Sequence, residues 1–167
     1  MKKTILMADD DEDDSFLAKD ALETCCEMVA FSRVDDGVAL MDYLSERSCS
    51  GVGELPDLIL LDLNMPRKDG REALLEIKTE SSLKHIPIVV LTTSGEEKDI
   101  DFCTKAGANS FITKPRTFNE WVNIMESIVG NWLVSAKENV NPWGGDEPTC
   151  LNIKKNYSKK REQKYHE

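Results

Sequence analysis

The stretch Asp57-Leu58-Ile59-Leu60-Leu61-Asp62 constrains this chain more than any other. Its four consecutive apolar residues leave no polar face, so a strand built from them has to be covered on both sides. That is the setting of a central strand in a parallel sheet with helices above and below. Pro87-Ile88-Val89-Val90-Leu91 repeats the pattern and ends at Thr92-Thr93-Ser94. Around these two runs, shorter β-type segments alternate with helical periodicity. Thr4 to Ala8 reads as a first strand, closed by Asp9, Asp10 and Asp11. A helix is expected from about Asp14 to Glu27, with Phe16, Leu17, Ala21, Leu22 and Cys25 as its apolar stripe and Asp14 at its N-cap or in its first turn. Met28 to Val34 reads as a second strand, and Asp36-Gly37 leads into a helix bearing Val38, Leu40, Met41 and Leu44.

The polar stretch Ser48 to Leu55 is a loop by composition. Further helices are expected over about 70–79, from the acidic turn Glu96-Glu97 to Ala106, and from Phe118 to Leu133, with a short strand Asn109 to Thr113 between the last two. Five βα units in succession imply one α/β domain over residues 1–133, its parallel sheet covered on both faces. Beyond about Val134 the periodicity dissolves into Asn, Pro, Gly and charge, so 134–167 reads as a tail without a second folded domain.

Composition excludes several classes. With 40% hydrophobic and 31% charged residues the chain has an ordinary globular balance, and no apolar run approaches a membrane span. The first residues lack the apolar core of a signal peptide, and a cytoplasmic location is expected. Five cysteines at irregular spacing and only two histidines, His85 and His166, offer no transition-metal cluster. The net charge of −10 is uneven: from Cys150 onward the tail carries +4, which leaves −14 on the rest. A body that acidic argues against nucleic-acid binding.

Ligands of open α/β sheets sit at the carboxyl ends of the strands. There the sequence places Asp9 and Asp10 after the first strand, Asp62 after the third, Thr92 after the fourth and Lys114 after the fifth. Three converging carboxylates repel one another and raise each other's pKa. A hard divalent cation resolves that conflict, and Mg²⁺ suits a few carboxylates, a carbonyl and several waters. Metal, ammonium and hydroxyl together are what stabilises the spread charge of a phosphoryl-transfer transition state.

This ordered set, Asp9-Asp10, Asp62, Thr92 and Lys114-Pro115, resembles the response-regulator receiver domains of two-component phosphorelays, and the likeness covers about Lys3 to Leu133. The segments Leu61-Asp62-Leu63-Asn64-Met65-Pro66-Arg67-Lys68-Asp69-Gly70 and Val90-Leu91-Thr92-Thr93-Ser94, with the insertion Ser48 to Leu55, look like the phytochrome-type single-domain members. The resemblance implies a flavodoxin-like, doubly wound sheet in the order 2-1-3-4-5. It implies that Asp62 is the phosphoacceptor and that Mg²⁺ is held by Asp10 and Asp62, by Asp9 largely through water, and by the carbonyl of Asn64. Thr92 and Phe111 would be the switch pair and Lys114 the phosphate partner, with a cis Lys114–Pro115 bond. It also implies a sensor histidine kinase, phytochrome-like for this subgroup, or a phosphotransfer protein as donor, and a homodimer or partner face on the fourth helix, fifth strand and fifth helix. Asn64 and Ser94 flank the site and would tune the lifetime of the phosphorylated state. Arg116 departs from the family, where an apolar residue is commoner after the Lys-Pro.

A chain of this kind catalyses only its own phosphorylation and slow autodephosphorylation, and as a stand-alone receiver it would act by binding, by dimerising or by passing phosphate on. Three rival readings fit the residues less well. A DNA-binding regulator would need a helix-turn-helix that the last 30 or so residues cannot build. A haloacid-dehalogenase-type phosphohydrolase would need Asp two positions after its nucleophile, where Asn64 stands. A binding-only receiver would lack a catalytic position, and none is missing.

Overall fold

The computed structural model describes residues 2–93 and 95–133. Within them, strands β1 (Lys3–Ala8), β2 (Val29–Val34), β3 (Leu58–Leu61), β4 (Ile88–Thr92) and β5 (Ser110–Thr113) alternate with helices α1 (Glu12–Cys25), α2 (Gly37–Ser50), α3 (Gly70–Thr79), α4 (Glu97–Ala106) and α5 (Phe118–Ile128). The strands form one parallel sheet in the order β2-β1-β3-β4-β5. This is the flavodoxin-like arrangement expected, and its order reverses beside β1, where the switch-point crevice opens.

The period-two alternation of the strands sorts their side chains into two cores. Ile5, Met7, Leu58, Leu60, Val89, Leu91 and Ile112 point to one face, where α1 and α5 cover them with Ala18, Ala21, Leu22, Trp121, Ile124 and Met125. Leu6, Ala8, Ile59, Leu61, Ile88 and Val90 point to the other, under α2, α3 and α4. All four residues of β3 are buried, which is why that strand has no polar position until the chain leaves the sheet at Asp62.

Local details depart from the sequence expectation in five places. Phe16 belongs to no core and is 69% exposed. The buried face of α1 is set by Ser15, Ala18 and Leu22 at i, i+3 and i+7, and Phe16 lies one residue, about 100°, around from it. Helix α1 starts two residues earlier than expected, with Asp11 as its N-cap accepting from the N–H groups of Asp13 and Asp14 at 2.9 and 3.2 Å, while Asp14 lies in the first turn, one of the two positions expected for it. Helix α2 continues through Ser50 and ends in a left-handed Gly51, so the expected loop starts later than its polar composition suggested. Helix α5 ends at Ile128 and passes into a π-helical turn, Val129–Leu133. The Lys114–Pro115 bond is trans, as is every peptide bond among the described residues. Trans is the lower-energy isomer by about 0.5–1 kcal/mol, and the chain beyond it is pinned by the Arg116 N–H on the Glu120 carboxylate at 2.9 Å.

The expectations for the tail, residues 134–167, and for Ser94 lie outside the described residues. None of the described helices is long and apolar enough to cross a membrane.

Candidate functional site

Backbone hydrogen bonds that run past the strand ends hold the site in place. Asp9 N–H donates to Val34 C=O at 3.1 Å and Asp62 N–H donates to Ala8 C=O at 3.0 Å, so both acids leave the sheet in register. Lys114 N–H donates to Thr92 C=O at 2.8 Å and fixes the start of the last loop in the same way. The guanidinium of Arg33 reaches the carbonyls of Asp9 and Asp10 at 3.2 and 3.4 Å and ties the acid pair to β2. Beyond Asp62 the chain doubles back so tightly that Gly70 N–H meets Leu63 C=O at 2.9 Å. A Cβ at Gly70 would fall 2.1 Å from the Asp62 carbonyl oxygen, so only glycine fits this turn.

One carboxylate oxygen from each of Asp9, Asp10 and Asp62 lies within 4.8 Å of the other two. Asp9 and Asp62 are buried, while Asp10 faces solvent. Lys114 reaches in from β5 with its side chain only 7% exposed. Its ammonium donates to Asp14 Oδ2 at 2.8 Å and to Asp62 Oδ2 at 3.3 Å. It also stands 2.7 Å from Asp9 Oδ2, as an ion contact off the hydrogen-bond direction. Among the described residues that buried oxygen therefore has a charged neighbour but no aligned donor. Three carboxylates face one ammonium, and Asp10 stands at the rim of the same cluster.

The protonation equilibria follow from this imbalance. Burial pushes the Asp9 carboxyl up to about 6, although Lys114 and the Asp11 N–H (2.9 Å from Asp9 Oδ1) pull it back. Burial also raises Asp62, against the charge of Lys114 and the Asn64 N–H on its Oδ1 at 3.3 Å. For Lys114 burial acts the other way and would lower its pKa. The hydrogen bond to Asp14, the close contact with Asp9 and the charges of Asp9 and Asp62 outweigh it, so the ammonium is held well above its ordinary range.

An acidic, solvent-open cluster of hard oxygen donors, one of them a buried carboxylate oxygen without an aligned hydrogen-bond donor, fits a divalent cation such as Mg²⁺ or Mn²⁺. Asp9, Asp10 and Asp62 are the residues that could hold it. The exposed Asn64 follows Asp62 at the same rim.

Of the residues singled out from sequence, Asp9, Asp10, Asp62 and Lys114 come together directly. Thr92 is the last residue of β4, fully buried beside them in the sheet. Phe111 does not enter the cluster: it is 5% exposed and packs into the core under α2, α3 and α4. Sequence reasoning missed Asp14, which it treated as a helix-start acid. No local signal could have found it, because its partner Lys114 lies a hundred positions away in the chain.

Known proteins resemble this chain in sequence and in fold. A family model described as "Response regulator receiver domain" matches residues 5–126. Response regulator Rcp1 of a Synechocystis species is 39% identical over 131 residues, which cover 78% of this chain and 89% of that protein. The crystal structure of the phosphorylated cyanobacterial phytochrome response regulator RcpA superposes with a TM-score of 0.75 at 39% identity, covering 81% of this chain and 97% of that one. The Mn²⁺-bound form of Rcp1 gives a TM-score of 0.71 at 38% identity, over 80% and 96% of the two chains.

Proposed function

Since this chain belongs to the response-regulator receiver family, with phytochrome response regulators among its relatives, we propose that it is a phosphoacceptor of a two-component phosphorelay in which Asp62 takes the phosphoryl group. The observation that carries the reading is a buried Asp62 carboxylate at the mouth of the sheet, 3.3 Å from the Lys114 ammonium and beside Asp9 and Asp10. A carboxylate at the end of an apolar strand is costly to bury even when it shares one ammonium with two others, and the sheet has no structural need for it there.

Asp9, Asp10 and Asp62, with the carbonyl of Asn64, would hold Mg²⁺, which when bound neutralises charge on the transferring group. The chain's own residues do the rest. An Asp62 oxygen forms the bond to phosphorus while the bond from phosphorus to the donor's imidazole nitrogen breaks. Lys114 pairs with the incoming oxygens, and the Thr92 hydroxyl binds one of them at the end of β4. The charge gained at Asp62 draws Thr92 and biases the packing of Phe111, so a local electrostatic event shifts a two-state surface. The α4–β5–α5 face is the surface concerned, and it carries the partly exposed Phe102 and Phe118 and the exposed Arg116. Its occupant would be an output partner or a second copy of the chain.

The donor is a sensor histidine kinase or a phosphotransfer protein. RcpA is a cyanobacterial phytochrome response regulator, and the likeness to it favours a phytochrome-like kinase. The test is intact-mass spectrometry after incubation with Mg²⁺ and acetyl phosphate. A single phosphoryl gain is expected in the parent and none in Asp62→Asn or with a chelator. Equal gain in the Asp62→Asn variant would end the assignment.

A further inference from the structure

Asp14 sits in the first turn of α1, where its own N–H is occupied by the Asp11 cap. Its carboxylate is then aimed across the site at a residue a hundred positions away, Lys114. Among the three carboxylates around that ammonium, Asp14 makes the shortest aligned hydrogen bond, 2.8 Å against 3.3 Å for Asp62. The 2.7 Å approach to Asp9 is not aligned. Asp14 is also the most accessible of the three, with its side chain 23% exposed against 0% and 6% for Asp9 and Asp62. An ammonium has only three N–H donors, so whatever Asp14 holds is withheld from Asp62 and its substituent.

We propose that Asp14 is a positioning residue that parks Lys114 on the α1 side of the site and so restrains acceptance of the phosphoryl group by Asp62. The proposal rests on the phosphoacceptor reading above. During transfer from acetyl phosphate an Asp62 oxygen forms the bond to phosphorus, the bond to the acetyl oxygen breaks, and acetate leaves with its electron pair. The phosphoryl oxygens then need the ammonium that Asp14 is holding. A full negative charge on Asp14 both competes for Lys114 and repels the incoming dianion, whereas an amide in its place keeps the shape and a weaker acceptor.

The experiment compares parent, Asp14→Asn and Asp14→Glu, with Mg²⁺ and acetyl phosphate, by intact mass against time. Asp14→Asn is expected to be phosphorylated about three- to tenfold faster. Asp14→Glu, which restores the charge, is expected within about twofold of the parent. A purely structural Asp14 would lower thermal stability in both variants and accelerate neither. An Asn variant no faster than the parent overturns the restraint.

A second readout does not depend on phosphorylation. The ¹H–¹⁵N signal of Lys114 Nζ is expected to shift or broaden in Asp14→Asn and to be retained in Asp14→Glu. An unchanged Nζ signal overturns the anchor. If the parent itself gains no phosphoryl group, the Asp62 reading fails and the rate role falls with it, while the Nζ signal still decides the anchor.

Discussion

Lys78 and Lys114 are both drawn into the interior, at opposite ends of the sheet, and they are paired in opposite ways. Lys78, in the last turn of α3, donates to Ile86 C=O at 2.7 Å, Lys84 C=O at 3.3 Å and Asn109 Oδ1 at 3.1 Å. The Asn109 side chain also accepts Ile88 N–H at 2.9 Å, so this cluster stitches α3 to the loops entering β4 and β5. Every acceptor is a neutral oxygen, and burial holds the ammonium below its ordinary range. Lys114 faces carboxylates, and its ammonium is held above that range.

Lys78 is thus closed in with neutral partners at the amino end of the sheet, which is what a structural staple requires. The carboxyl end keeps three carboxylates on one ammonium, with Asp10 beside them, an arrangement that costs stability alone and is relieved by a cation or an electrophile. Arg71 shows the same contrast nearby. Its guanidinium is shared between Asp69 and the buried Asp99, at 3.1 and 2.8 Å, and ties α3 to α4.

Removing each lysine should separate the two ends. Lys114→Ala leaves Asp9, Asp14 and Asp62 facing one another. It is expected to cost about 3–5 kcal/mol of metal-free stability at pH 8. Phosphorylation by acetyl phosphate should slow by on the order of 100-fold or more. Urea denaturation with and without Mg²⁺, and the mass time course, check both. A wild-type rate in this variant would erase the distinction between the ends.

The next effect concerns pH. The Asp9 carboxyl titrates near about 6 in the folded chain against 3.8 ordinarily. Its neutral form suits the fold, so its contribution to stability is complete below 3.8 and is lost as pH rises through about 6. In chelator, the stability of the parent relative to Asp9→Asn should therefore improve by about 2–3 kcal/mol between pH 7 and pH 4. A gap that stays constant over that window would show that Asp9 is not strained by its burial.

The smallest effect belongs to the staple. Lys78→Ala should lower stability by about 1–3 kcal/mol, through buried acceptors left without a donor. Phosphorylation per folded molecule should stay within about twofold of the parent. A larger fall in rate would mean that the two ends are coupled.

Much of this was legible in the sequence, for identifiable reasons. Two-faced apolar runs such as Leu58–Leu61 have no other comfortable home than a covered parallel sheet, and acids placed straight after them are then at its mouth. What escaped depended on tertiary context. Phe16 looked like part of a stripe because apolarity alone does not say which face α5 will cover. Asp14 looked like a helix-dipole acid because nothing local announces that Lys114 will arrive beside it. The trans Lys114–Pro115 bond was beyond the sequence as well, since the two isomers differ by about 1 kcal/mol or less. Arg67, at φ +66° with its side chain 3.5 Å from Asp36, holds a left-handed turn that glycine or asparagine would have signalled and arginine does not.

The central claim is that chemistry occurs at Asp62, and locating the modification tests it most directly. Borohydride reduces an aspartyl phosphate to homoserine, a mass change that survives digestion and peptide sequencing. After treatment with acetyl phosphate and Mg²⁺, homoserine is expected at position 62 and nowhere else. Homoserine at Asp9, Asp10 or Asp14, or a phosphoryl gain with no homoserine at all, would contradict the account.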